Sequence, residues 1–492
     1  MGSGDDVWFR SATEVVRMLR QRKVSSVELL KLFLARRDRV DSGINAVVTV
    51  DPERALREAA EADALTVRGR FLGPLHGLPM TVKDTFEVEG LRTTAGAETL
   101  SAHVPDQDAD AVAALRAAGA VIFGKTNVPA YARDVQTHNE VFGTTGNPWR
   151  ITRTAGGSSG GAAAAVAAGL TALEIGSDLA GSLRLPAHYC GVLGLRPTHG
   201  ITPTRGHIPR PPGWLTSSDM VSVGPLCRAP EDLALALDVL TAPARSRAAG
   251  WRLHLPEPRH DALSSYRVGV LLDDPHCPVD SAVGDVLTAA VDQLRAAGAK
   301  VSEEPPPVDL AGNDQLFQQL MFGTTSTGWA DDAFAGACAA AEQLTPGDDS
   351  ARARLLRGTT QRLREWHMAH ERRERLRRGW EEYFRSHDVL LCPVAPTAAI
   401  PHDHRPDPGA RTITVNGQTR PYWDQTVWAG LAAVAHLPAA AVPAGRTRDG
   451  LPVGIQIIGP YLEDRTVIDL ASRLTRLLGG FAPPPGLTSP PA

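Results

Sequence analysis

Apolar residues recur along this chain at two spacings, and blocks of one spacing alternate with blocks of the other. Ser11-x-x-Glu14 and Ser25-x-x-Glu28 each precede an apolar run of helical period. In such a box the serine hydroxyl and the glutamate carboxylate each take a backbone N–H that the first helical turn leaves unpaired. The pattern predicts helices over about 11–21 and 25–39. The alanine- and glutamate-rich stretch 51–65 reads as a third, and 107–118 as an amphipathic fourth. Short apolar runs between them predict strands, one carrying Thr81 and Val82 with Lys83 at its end, another at 120–123. Residues 161–169 are alanine and valine between two glycines. A helix apolar on every side is buried, and small side chains let it pack closely. Residues 173–175 read as a strand and 230–241 as a helix. From Tyr266 the order is strand (268–272), helix (280–298) and strand (300–301). Residues 310–385 are mostly helical, 389–392 and 440–442 read as buried strands, and Asn416-Gly417 signals a hairpin turn. This alternation predicts an α/β layer architecture.

With 492 residues the length allows two or three domains. No Pro/Gly/Ser-rich linker divides the middle, so one compact domain is expected, with a proline-rich tail at 481–492 that is disordered from 483. The formal net charge of −4 excludes nucleic acid or an anionic membrane as the default partner. The arginines between Arg352 and Arg378 are interspersed with Glu365, Glu371 and Glu374, and read as a solvated helix face. Five cysteines, none in a Cys-x-x-Cys pair, support neither a zinc site nor a disulfide framework. His402-Asp403-His404 lacks a third ligand nearby and reads as an exposed loop, so no metal and no cofactor are expected. The N-terminus lacks the basic and apolar regions of a signal peptide, and no stretch of 18 consecutive apolar residues occurs. A cytoplasmic enzyme is the expectation.

Chemistry concentrates between Gly156 and Thr198. The segment holds Gly-Gly-Ser-Ser-Gly-Gly at 156–161, Gly-Ser-Asp-Leu-Ala-Gly-Ser-Leu-Arg-Leu-Pro at 176–186 and Cys-Gly-Val-Leu-Gly-Leu-Arg-Pro-Thr at 190–198. Ser158 and Ser182 each sit among glycines, where the backbone turns sharply and a ligand can approach the main chain. A serine so placed can aim its hydroxyl at a bound carbonyl while N–H groups face the same point, as acyl transfer requires. The same loop also reads as a phosphate cradle or a packing turn. The 156–161 loop has no Gly-Lys-Ser/Thr end, and Gly-x-Gly-x-x-Gly is absent.

Taken together these blocks resemble the signature of the amidase signature family, the Ser–cis-Ser–Lys hydrolases. Further matching segments are Gly77-Leu78-Pro79-Met80-Thr81-Val82-Lys83-Asp84, Gly124-Lys125-Thr126-Asn127, Asn147-Pro148-Trp149, Val223-Gly224-Pro225 and Asp449-Gly450-Leu451-Pro452-Val453-Gly454-Ile455-Gln456. The similarity runs from about residue 10 to 475. It implies a single large α/β domain, residues 1–480, with a mixed central β-sheet covered by helices on both faces and a substrate-specific helical insert at about 310–385.

The resemblance also implies the chemistry. Ser182 is the nucleophile, Ser158 the bridge that follows a cis Gly157–Ser158 bond, and Lys83 the base. A lysine serves as a base only when neutral, so Lys83 is expected to be buried away from carboxylate partners. The oxyanion hole falls to the backbone N–H groups of Leu179, Ala180, Gly181 and Ser182. Ala180 replaces the usual glycine, which argues against a positive φ there. Ser177 stands where threonine is commoner, and Arg196 where lysine is usual. Asp178 and Arg184 read as a buried supporting pair. Specificity is assigned to residues 127–145, 200–222 and 310–370, with His138, Gly157, Trp214 and Trp329 as candidate substrate contacts. The implied activity is hydrolysis of a linear carboxylic amide, a small molecule. Open beside it are an acyl-transfer enzyme using the same triad, the glutaminase-type subunit of a transamidation complex, and an inactive scaffold. A homodimer is left open.

Overall fold

Both serine boxes form in the computed structural model, which describes residues 4–208, 211–241 and 249–488. Ser11 and Ser25 each accept the N–H of the glutamate three residues on, and each glutamate reaches back, opening helices Ala12–Arg20 and Ser26–Val40. Helix Pro52–Val67 follows. Three strands, β1 (Val47–Val50), β2 (Pro79–Lys83) and β3 (Val121–Thr126), make a small sheet in the order β1-β3-β2, with β2 parallel to β3. Helix Asp110–Ala117 begins later than the sequence pattern suggests: Ala109 is its N-cap, with a non-helical ψ of 146°, and its N–H donates to the Glu87 carbonyl at 2.8 Å.

The main sheet has eight strands: β4 (Leu173–Asp178), β5 (Leu193–Arg196), β6 (Ser222–Cys227), β7 (Arg267–Val270), β8 (Lys300–Ser302), β9 (Val389–Pro393), β10 (Ala439–Arg446) and β11 (Pro452–Ile458). Their order is β8-β7-β9-β11-β10-β5-β6-β4. The β8-β7-β9 portion is parallel and the remainder antiparallel, so the sheet is mixed. The fold is one large α/β domain. Edge strand β4 is fully buried and registers Asp178 opposite Ser222 and Ser177 opposite Val223. Helix Gly160–Ala167 is buried on every side, as its composition requires, and packs against both β4 and β2. It therefore joins the small sheet to the edge of the large one, where the chemistry lies. Among the described residues no helix is long and apolar enough to cross a membrane.

Two expectations are corrected. The arginine-rich helix Leu363–Ser386 is not solvated throughout: Arg373 is buried and binds Asp219 with its Nη1, at 2.7 and 2.9 Å. Charge runs report mean exposure and hide the one member that turns inward. The segment after residue 483 is not free either. Pro484 is buried, and the Leu487 carbonyl accepts from the buried Arg36 at 2.7 Å. A buried guanidinium needs acceptors, and the tail supplies one; residues 489–492 lie outside the described residues. The Asn416-Gly417 turn forms as read, with φ of 50° and 75° between strands Thr412–Val415 and Gln418–Pro421.

Candidate active site

Strand β2 alternates its side chains, so Thr81 and Lys83 share a face. Lys83 is completely buried. Its Nζ donates to Ser158 Oγ at 2.7 Å and to Ser177 Oγ at 3.0 Å. Ser158 is also buried and sits in the loop that opens helix Gly160–Ala167, after a cis Gly157–Ser158 peptide bond. A side chain at Gly157 would lie 2.6 Å from the Asp134 carbonyl, so the close approach of the 134–136 segment demands glycine there. The two serine loops are laced together by the Ser159 N–H, which donates to the Ser182 carbonyl at 3.2 Å. Ser182, unlike Ser158 and Lys83, is partly exposed. The arrangement buries a lysine–serine pair and leaves a second serine partly exposed in the adjoining loop.

Burial pulls Lys83 down to about 7, with the charges of Asp178 and Glu174 pulling weakly the other way. No carboxylate lies within ion-pairing distance of its Nζ among the described residues, so desolvation of the ammonium dominates. Asp178, the carboxylate whose charge acts most on Lys83, is engaged elsewhere. Arg184 grips it with Nε and Nη2 at 2.9 and 2.8 Å, and Arg196 donates to its main-chain carbonyl at 2.6 Å. Burial alone would raise the Asp178 carboxyl; the two guanidiniums outweigh it and hold the group well below the usual carboxylate range. Glu174, wholly buried, is pushed up to about 8 by desolvation, which keeps much of its charge off Lys83 at neutral pH.

The turn from Leu179 to Ser182 carries the N–H groups assigned to the oxyanion. Gly181 is not available as a donor: its N–H is spent on Asp178 Oδ1 at 3.0 Å. Its φ of 98° and the approach of Ala429, 2.8 Å from a built Cβ, explain why glycine stands there. The N–H groups of Leu179, Ala180 and Ser182 have no partner among the described residues. Ala180 has no positive φ, so its methyl group is tolerated.

Sequence reasoning missed one neighbour. His207 Nε2 lies 2.8 Å from Ser177 Oγ, extending the chain of contacts beyond Lys83. Only the hydroxyl at Ser177 hinted at a further partner. The reading also passed over Gly119-Ala-Val-Ile-Phe-Gly-Lys-Thr126, which has the spacing of a phosphate-binding loop. Its residues 121–126 form buried strand β3 instead. Lys125 donates to the Phe86 carbonyl and to Thr93 Oγ1, with Asp84 3.5 Å away, so the ammonium is structural.

The candidate substrate contacts divide. His138 hydrogen-bonds Thr144 at 2.8 Å and stacks on His404 at 4.0 Å; none of its described contacts is with the serine loops. Trp214 is 41% exposed in the 200–222 segment. Trp329 follows helix Leu310–Ser326, next to Gly328, whose carbonyl accepts from Arg133. Of the three segments assigned to specificity, 127–145 and 310–370 meet through Arg133–Gly328, while Asp219 of 200–222 is held by Arg373, just beyond the end of the third.

One group of potential metal ligands, His199, Asp219 and His436, occurs among the described residues. A guanidinium occupies the position a cation would take: Arg373 Nη1 binds both Asp219 oxygens and lies 3.1 Å from His436 Nε2. Prolonged dialysis against a strong chelator should therefore leave catalytic rate and melting temperature unchanged. A loss restored by zinc would overturn the metal-free reading.

The family model named Amidase matches residues 28–468. A glutamyl-tRNA(Gln) amidotransferase subunit of Anaeromyxobacter sp. (strain K) is 32% identical, over 94% of this chain and 95% of that protein. A crystal structure of an amidase superposes with a TM-score of 0.79 at 30% identity, covering 96% of this chain and all of that one. A bacterial aryl acylamidase of the amidase signature family superposes with a TM-score of 0.78 at 25% identity, covering 96% of each. Motifs, fold and relatives over nearly the full length agree, and the chain belongs to the amidase signature family.

Proposed function

We propose that the chain cleaves the C–N bond of a carboxylic amide through an acyl-enzyme on Ser182. The observation that carries this reading is the buried Lys83–Ser158 hydrogen bond beside a partly exposed Ser182. An amide is a poor electrophile with a poor leaving group, so it needs an activated nucleophile, an oxyanion site and a proton for the nitrogen. Neutral Lys83 takes the Ser158 proton as Ser158 takes that of Ser182, and Ser182 Oγ bonds to the carbonyl carbon. The oxyanion rests on the N–H groups of Leu179, Ala180 and Ser182. On collapse the C–N bond breaks, and the same relay, reversed, protonates the departing nitrogen. Water then attacks the ester, its proton travels inward, and Ser182 leaves with a proton restored.

Two identities for the acyl donor have specific support. The glutaminase-type reading, in which this chain serves a transamidation complex, is favoured by the curated relatives, which are named as components of glutamyl-tRNA(Gln) amidotransferase and reach 32% identity. A stand-alone hydrolase is supported by superposition on an amidase and an aryl acylamidase.

The test is a panel of glutamine, aliphatic amides, anilides and esters offered to the purified chain, with intact-mass detection of an acyl adduct. Turnover of simple amides by the chain alone supports the stand-alone reading. Ammonia from glutamine only with partner proteins present supports transamidation. A fluorophosphonate should label Ser182, and peptide mapping to another residue would overturn the assignment.

A further inference from the structure

Neutral Lys83 has two N–H groups and one lone pair, and the relay needs that lone pair turned to Ser158. Its Nζ lies within hydrogen-bond distance of a second hydroxyl, Ser177 Oγ, at 3.0 Å. Ser177 carries one proton, which has two acceptors in reach: the Lys83 lone pair itself, or His207 Nε2 at 2.8 Å. If the proton goes to Lys83, it competes with Ser158 for the lone pair. If it goes to His207, the Ser177 oxygen is left to accept a Lys83 N–H.

The imidazole is held in place by other contacts. His207 pairs with Phe86 in an antiparallel bridge, and the two rings lie 5.0 Å apart. The Glu87 N–H donates to the Gly206 carbonyl at 2.9 Å, and the Ile208 N–H donates to the Thr85 carbonyl at 2.8 Å. The 200–222 loop is thus strapped to the segment that follows Lys83, and His207 is delivered to the hydroxyl of β4.

We propose that His207 is a positioning residue for the Lys83–Ser158 relay: by accepting a hydrogen bond from the Ser177 hydroxyl at Nε2, it keeps the Lys83 lone pair free for Ser158. The inference rests on the proposed relay. It requires a neutral imidazole protonated at Nδ1. Burial, and then the neighbouring Lys83 charge, push His207 down to about 3, so it stays neutral through the working range. The other ionisable groups acting on Lys83 are Glu174 and Asp178 of β4, with the Arg184 and Arg196 guanidiniums on Asp178. All four remain in a His207 variant.

The sign of the effect follows. Without His207, charged Lys83 loses a polarised acceptor, and neutral Lys83 gains a donor from Ser177. Both changes favour the neutral form, so the acidic limb of the rate profile should move to lower pH while the plateau falls. A merely structural loss would lower the plateau without moving the limb.

The experiment uses the full chain and follows the rate of Ser182 labelling by a fluorophosphonate from pH 5 to 10, beside turnover of any amide found active. H207L should lose about tenfold or more of the plateau rate, with a midpoint shifted down by at least about half a unit. H207Q, whose side-chain carbonyl can accept the Ser177 hydroxyl hydrogen bond, should recover most of both. S177A removes the competing hydroxyl, so H207L on that background should shift nothing further. Equal losses in H207L and H207Q, or an unmoved midpoint in H207L, would overturn the role of His207 alone. A wild-type protein without an acidic limb, or unlabelled at Ser182, would overturn the relay reading and with it this one.

Discussion

Ser182→Ala should abolish turnover, with kcat/KM falling by at least about 10⁴-fold, while the melting temperature stays close to that of the parent. The magnitude follows from removing the attacking atom of a serine acyl-transfer site, where single knockouts approach the loss from deleting the whole catalytic unit. The stability follows from exposure: Ser182 is partly exposed, and its backbone carbonyl, which Ala retains, accepts the Ser159 N–H. Steady-state kinetics and a thermal melt check both halves. A verified variant with an unchanged rate would remove Ser182 from the mechanism.

Lys83→Ala and Ser158→Ala should each cost about 10²- to 10⁴-fold, and the double variant little more than either alone, because the two residues form one relay. The loss should be larger for an amide than for a matched ester, since a phenolate leaves without the proton that an amine needs. In the parent, rate should rise with pH through about 7, where burial places Lys83. Below that value Lys83 is charged and has no lone pair to accept the Ser158 proton; above it the base is free. The measurement is kcat/KM for the amide and ester from pH 6 to 10 in all four proteins. Additive losses with no amide bias would show that Lys83 and Ser158 act separately. Lys83→Ala also empties a buried site and leaves Ser158 and Ser177 without their shared donor, so some stability loss should accompany it, and refolding controls are part of the measurement.

Much of the architecture was legible before any coordinates. Paired Ser-x-x-Glu boxes mark two helix starts because capping is satisfied within four residues. The alanine run at 161–169 announces a buried helix because its composition leaves no polar face. Asn416-Gly417 marks a hairpin because few other pairs tolerate two positive φ values. Each is a local property, and local chemistry writes itself into local sequence. The serine-bearing glycine loops are legible for the same reason, since sharp turns and close backbone approach restrict which residues can stand there.

What only the tertiary structure decided concerns partners far apart in the chain. Residues 119–126 have the spacing of a phosphate-binding loop, yet pairing with β1 and β2 makes their end a strand and sends Lys125 to Asp84. Arg373 belongs to a helix of alternating charge, yet it is the member that turns inward to Asp219, because the 200–222 segment packs there. Gly181 looks like an oxyanion donor until Asp178 is seen to hold its N–H. His207 has no local mark at all; it matters because an antiparallel bridge to Phe86 carries it to Ser177. Sequence periodicity tells which face of an element is buried and which turns are tight. Which donor meets which acceptor is set by strand order and loop docking, where a shift of a few ångströms changes a hydrogen bond into no contact.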